Sequence, residues 1–138
     1  MTGADDRTPI LVGAGAVTDM ATPVEQARSP FDLVAEAARK ALADCGAPAL
    51  AGAIDTLALL RFFADTSHRF ATKLGASSNP PRSVARRIGL APAREIYTWN
   101  GGNMPQYLVN WFCEEIAAGR GVTAASKAAS AGRGRRIA

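Results

Sequence analysis

Cysteine and histidine are nearly absent, and with them much of the chemistry they carry. The chain has two cysteines, Cys45 and Cys113, and one histidine, His68. Together they give neither a disulfide framework nor a C-x-x-C metal half-site, so no metal is expected and a reducing compartment is. Long apolar runs are also missing. None approaches the roughly 18 residues of a membrane span, and no membrane partner is expected. No secretory leader is expected at the front, where Asp5 and Asp6 stand in place of positive charge and the first apolar run breaks at Gly13. The expected location is the cytoplasm. Acid is missing from the back: from Gly119 onward stand Arg120, Lys127, Arg133, Arg135 and Arg136 and no carboxylate. Aromatic rings are absent there too, so the overall charge of +4 does not make nucleic acid an expected partner. The first 118 residues, with 11 basic and 12 acidic side chains, are close to neutral.

What is present is a core. Hydrophobic residues make up 48% of 138, enough for one domain. Residues 9–15 form a short apolar run bounded by Pro9 and glycine, read as a buried strand ending in a tight turn. Ser29-Pro30 offers an N-cap and a first-turn proline, after which Phe31, Val34, Ala38, Ala41 and Leu42 recur at helical spacing until Gly46. Residues 54–60 read as a second strand, with helix as the rival, and 61–78 as a loop. Asn79-Pro80-Pro81 opens a short helix in which Val84, Ala85 and Ile88 share a face before Gly89. Residues 95–99 have strand character, and from Pro105 the residues Leu108, Phe112 and Ile116 mark a third helix closed by Gly119. Strand and helix alternate three times, which predicts an α/β fold with a mostly parallel sheet and crossover helices. Val122 and Ile137 are the only large apolar residues beyond Gly119, so no fourth strand is expected. The organisation read from this is a flexible lead (1–8), a domain (9–119) and a basic, disordered tail (120–138).

Two glycine-rich turns invite a ligand. The first, around Gly13 and Gly15, has Thr18 where a dinucleotide fingerprint needs a third glycine, and its helix starts about ten residues late; a structural turn is the better reading. The second has a strand followed by Asn100, Gly101, Gly102 and Asn103 and then a helix, whose unpaired N–H groups could hold an anion or a thioester oxygen. These four are the candidate substrate-binding residues. The rival reading gives Gly101 and Gly102 positive φ and makes Asn103 a helix cap. Elsewhere, His68, near Asp65 and Arg69 in sequence, reads as solvated. Cys113 and Cys45 read as small core residues, and Trp111 and Phe112 as core or interface anchors. Arg82, Arg86 and Arg87 could meet a phosphate but fit a solvated face better.

Taken together, the strand at 10–13, the helix ending Asp44-Cys45-Gly46-Ala47, Ile54-Asp55, Asn79-Pro80-Pro81, the run from Gly101 to Asn110 and Ile116-Ala117-Ala118-Gly119 resemble the thiolase superfamily. The likeness is to its acetyl-CoA acetyltransferase-like and sterol-carrier-type branch, over the front portion of the subunit. It implies a partial thiolase-like N-terminal half, truncated after the third helix, and acyl transfer between CoA thioesters. It also implies that the turn before the third helix carries a nucleophilic cysteine; aligning Gln106 with the family glutamine puts Gly101 at that place. Glycine cannot be acylated, and neither Cys113 nor Cys45 stands near the turn in sequence. His68 matches none of the family's catalytic motifs, which are not found here, so no catalytic residue is assigned. An out-of-frame end to a longer gene is the expectation for the tail.

Three functions compete. One is an acyltransferase relative that needs a complementary subunit or a second copy, because the third helix would otherwise expose an apolar face. Another is a non-catalytic binder that cradles acyl-CoA at Asn100, Gly101, Gly102 and Asn103, with the CoA thioester as ligand and no further cofactor. The third is a nucleotide-binding domain built on Gly13 and Gly15.

Overall fold

The computed structural model describes residues 7–120 and the backbone of 124–126 and 135–137. Strand β1 (Pro9–Leu11) is followed by an extended segment that runs back along helix α1 (Pro30–Asp44). Ser29 starts α1: its Oγ accepts from the Asp32 N–H at 3.2 Å, and Pro30 needs no donor at the first helical position. Gly46, at φ 64°, ends it. Phe31, Val34 and Ala35 are its buried residues.

A run of 3-10 helix (Pro48–Ala53) leads to β2 (Thr56–Leu59), whose four residues are all buried. Its leucines do not make it a helix, since burial on both faces favours a strand of this length. Helix α2 (Pro80–Arg87) starts at Asn79, whose Oδ1 accepts from the Arg82 N–H at 3.1 Å, and stops at Gly89, φ 73°. Strand β3 (Arg94–Tyr97) is shifted from the expected 95–99. Thr98 still donates its N–H to the Leu59 carbonyl at 3.1 Å, but Trp99 has left the sheet and is 76% exposed. Helix α3 (Met104–Ala117) ends before Gly119, φ 72°.

The sheet order is β1-β5-β4-β2-β3 and every pairing is parallel, as expected of strands joined by crossovers. Strands β4 (Ala124–Ser126) and β5 (Arg135–Ile137) correct the expectation of no strand after Gly119. Three residues rich in alanine carry no β signal of their own; pairing with β2 and β1 is what makes such a segment a strand. Apart from residues 7, 8 and 120 and these two strands, the disorder expected of 120–138 and the flexibility expected of 1–8 fall outside the described residues.

Alternation divides the core in two. Leu57 and Leu59 point to the side of α1 and α2, where Phe31, Val34, Leu50, Ile54, Val84, Ala85 and Leu90 close around them. Ala58 points the other way, to Leu108, Phe112 and Ile116 of α3, with Leu11, Leu60 and Ile96 alongside. The apolar stripe of α3 is thus spent on the sheet, which corrects the expectation of an exposed apolar face on this helix. Its outward side carries Gln106, Asn110 and Glu114, with Tyr107 the one large ring, 57% exposed. Phe112 is a core residue, as expected, while Trp111 is half-buried with the Arg94 guanidinium 4.8 Å from its ring centre. Among the described residues, no helix is long and apolar enough to cross a membrane.

Candidate functional site

In open parallel sheets the strands' carboxyl ends and the loops after them form the natural crevice for a ligand. Here β2 and β3 end side by side, and from them leave the 61–79 loop and the 98–103 loop that enters α3. Asn100, Gly101, Gly102 and Asn103 lie in the second loop and all are exposed. The Met104 N–H donates to the Gly101 carbonyl at 3.1 Å, and the Tyr107 N–H to the Asn103 carbonyl at 3.0 Å. The N–H groups of Gly102 and Gln106 have no hydrogen-bond partner among the described residues. Both residues are exposed at the positive end of α3, and residues 98–106 contain no carboxylate to neutralise it.

The rival reading of this turn holds only in part: Asn103 stands at the N-cap of α3, its carbonyl accepting the first helical bond. Neither Gly101 nor Gly102 has positive φ, and the Asn103 side chain makes no capping bond. A Cβ built on Gly101 would meet Asn103 Oδ1 at 3.0 Å and Met104 Cγ at 3.5 Å, both movable side-chain atoms. The backbone therefore does not require glycine at 101.

The loop is held by a neighbouring network. Asn100 Nδ2 donates to the Arg61 carbonyl at 3.3 Å. The Arg61 guanidinium donates to the Asp65 carbonyl at 2.7 Å, and the Tyr97 hydroxyl donates to the Asp65 carboxylate while accepting from the Phe62 N–H at 3.0 Å. Burial, and then the Asp65 hydrogen bond, push the Tyr97 phenol up to about 12. A phenol raised from 10.0 in the folded state stabilises fully below pH 10 and loses that contribution as pH rises through about 12. Tyr97→Phe should therefore melt lower than the parent at neutral pH, with the gap closing between pH 10 and 12. Melts across that range check this; a constant gap would assign the loss to packing alone. Strand character alone could not have singled out Tyr97 or Asp65 as partners, because the contact joins residues far apart in sequence.

Other candidates are not drawn into the site. His68 is exposed in a 3-10 turn (His68–Phe70), and Asp65 is turned away to Tyr97. Arg82 pairs with Glu95 at 3.0 Å and Arg87 with Asp32 at 2.8 Å, while Arg86 is exposed. These contacts are a surface network, and a phosphate would have to displace a carboxylate to reach Arg82 or Arg87. Cys45 and Cys113 are half-buried free thiols. Among the described residues no cluster of three or more His, Cys, Asp or Glu could hold a metal ion.

Gly13 and Gly15 are corrected in role. A Cβ on Gly13 would lie 2.2 Å from the Ala41 carbonyl oxygen, and one on Gly15 would lie 2.1 Å from that of Ala37. Their open sides are filled by α1 backbone, which leaves no room for a pyrophosphate. Ala14 adds an N–H bond to Asp44 Oδ2 at 2.9 Å, and Lys40 Nζ reaches the Ala16 carbonyl at 3.4 Å. The glycines let an extended strap lie flat on a helix.

No protein-family model and no curated protein matches the chain. Among solved structures it is similar to a monomeric SCP2-thiolase-like protein type 1 from Mycobacterium smegmatis, with 40% identity and a TM-score of 0.66 over 85% of this chain and 22% of that one. It is also similar in fold to an acetyl-CoA acetyltransferase from Syntrophomonas wolfei, with 19% identity and a TM-score of 0.57 over 81% of this chain and 26% of the other. The chain thus spans about a fifth to a quarter of the length of these proteins.

Proposed function

We propose, from the premise that this chain has a partial thiolase-like fold resembling SCP2-thiolase-like proteins, that it binds a CoA thioester at Asn100, Gly101, Gly102 and Asn103 without forming an acyl-enzyme there. The observation that carries the reading is the turn itself: unpaired N–H groups of exposed residues at the start of α3, no carboxylate beside them, and no side chain at Gly101. A thioester carbonyl oxygen is a neutral acceptor that polarises toward such donors, and Gly102 and Gln106 supply two of them. Gly101 supplies no sulfur or oxygen to attack the carbonyl carbon, so binding leaves the thioester bond intact. The name acetyl-CoA acetyltransferase belongs to a relative about three times as long. For turnover, a complementary subunit or a second copy would have to bring the nucleophile and the base.

A thermal melt of the full chain with acetyl-CoA tests this. At about 100 times Kd a native-state ligand stabilises by ~2.7 kcal/mol, a rise of roughly 10 °C in Tm for a domain of this size. The expected result is that rise, with no gain in intact mass from an acetyl group. An unchanged melt would remove the reading, and an acetylated protein would overturn its non-covalent half.

A further inference from the structure

The loop between β2 and α2 carries apolar surface that neither the core nor the thioester reading uses. It contains three phenylalanines, and Phe62 alone turns inward, edge-on to Phe31 at 5.3 Å and to Tyr97 at 6.5 Å. Phe63 and Phe70 are 60% and 45% exposed, their ring centres 4.4 Å apart, and Leu74 is 40% exposed. Each Phe sits on its own 3-10 turn, Phe63–Asp65 and His68–Phe70. The bonds from Arg61 and Tyr97 to Asp65 fix the first turn to the body of the protein. Phe63 is thereby held to the body of the protein, and Phe70 packs on its ring.

Its surroundings are basic. Arg69 and Lys73 are exposed, and their side chains make no hydrogen bond or ion pair among the described residues. His68 stands next to them, and Asp65, the one acid between residues 61 and 78, is occupied by Tyr97. Exposed rings rimmed by solvated cations match a surface whose charged layer is anionic and whose interior is apolar. We infer that this loop docks the protein peripherally on an anionic lipid surface, with Phe63, Phe70 and Leu74 entering the interface and Arg69 and Lys73 meeting lipid phosphates. A second copy is a poorer occupant, because a symmetric contact sets the patch against itself and Arg69 and Lys73 against like charge. Single-stranded nucleic acid is also poorer: the two rings shield each other, and base stacking needs free faces. The expectation of no membrane partner rests on the lack of a membrane-spanning run, which speaks only to insertion across a bilayer, and the inference departs from it at the surface.

Co-sedimentation of the full chain with phosphatidylcholine vesicles, with and without phosphatidylserine, tests the inference independently of acetyl-CoA binding. Binding should require phosphatidylserine and weaken as salt is raised. It should fall about tenfold or more in Phe63→Ser/Phe70→Ser and in Arg69→Glu/Lys73→Glu. Near-UV circular dichroism checks that both variants are folded, and the lipid and salt dependence of the parent protein tests the inference without them. No binding, or equal binding to neutral vesicles, overturns the inference. So does self-association, or oligonucleotide binding, that the phenylalanine substitutions abolish in a protein that ignores vesicles.

Discussion

Gly15→Ala should cost about 3 kcal/mol, at the upper end of what overpacking costs, and lower Tm by roughly 10 °C. A new methyl carbon would sit 2.1 Å from the Ala37 carbonyl oxygen, 2.6 Å from the Ala41 nitrogen and 2.9 Å from Lys40 Cβ. Two of those atoms are helix backbone and cannot swing aside. The strap must lift from α1, losing the Ala14 to Asp44 and Lys40 to Ala16 contacts as it goes. Gly13→Ala should behave alike, with its methyl 2.2 Å from the Ala41 carbonyl oxygen. Gly52→Ala is the control, since nothing lies within 4 Å of its Cβ and its φ is not positive. A calorimetric scan of the three variants decides the matter. A Gly15→Ala protein melting with Gly52→Ala would mean that the strap does not lie on the helix.

Gly101→Cys should yield a folded protein with a fast-reacting thiol. The position lacks positive φ, and the nearest atoms to a Cβ are side-chain atoms, Asn103 Oδ1 at 3.0 Å and Met104 Cγ at 3.5 Å. A thiol there faces the N-terminal end of α3, where unpaired N–H groups and the helix dipole favour the thiolate. Its pKa should drop from about 8.5 into the range near 7 or below. Iodoacetamide labelling followed by peptide mass spectrometry, run across pH, separates this thiol from Cys45 and Cys113. Labelling at neutral pH should be about tenfold faster than in the urea-unfolded protein. A midpoint at or above that of a free thiol would show that the turn does not activate a nucleophile, and would weaken the thioester reading with it.

The three helices were legible because their caps are local: Ser29-Pro30, Asn79-Pro80 and the glycines at 46, 89 and 119 each act within a turn of where they stand. Thr56–Leu59 was legible as a strand through its length, despite leucine and alanine. Trp99 was misplaced in β3 because propensity reports that a ring suits a sheet and not whether the sheet continues under it. The strands β4 and β5 could not be read, since Ala124, Ala125 and Ser126 acquire strand form only from partners far along the chain. Gly13 and Gly15 were recognised as structural but for the wrong cause: a turn can be inferred from neighbours, whereas a close approach to α1 requires knowing where α1 lies. At the candidate site, the strand-turn-helix order could be read, while the network through Tyr97, Asp65 and Arg61 that steadies it could not.

Strand β2 gives the two sides of the sheet unequal shares. To α1 and α2 it offers Leu57 and Leu59; to α3 it offers the methyl of Ala58. Buried area scales with side-chain size, so the α3 layer is the more weakly anchored of the two. In the ladder of partial unfolding that a native protein constantly samples, the first large opening is then the swinging away of α3 from a platform that stays intact. The loop that opens onto that helix would travel with it, so the binding proposed there would be linked to the closing of this one layer.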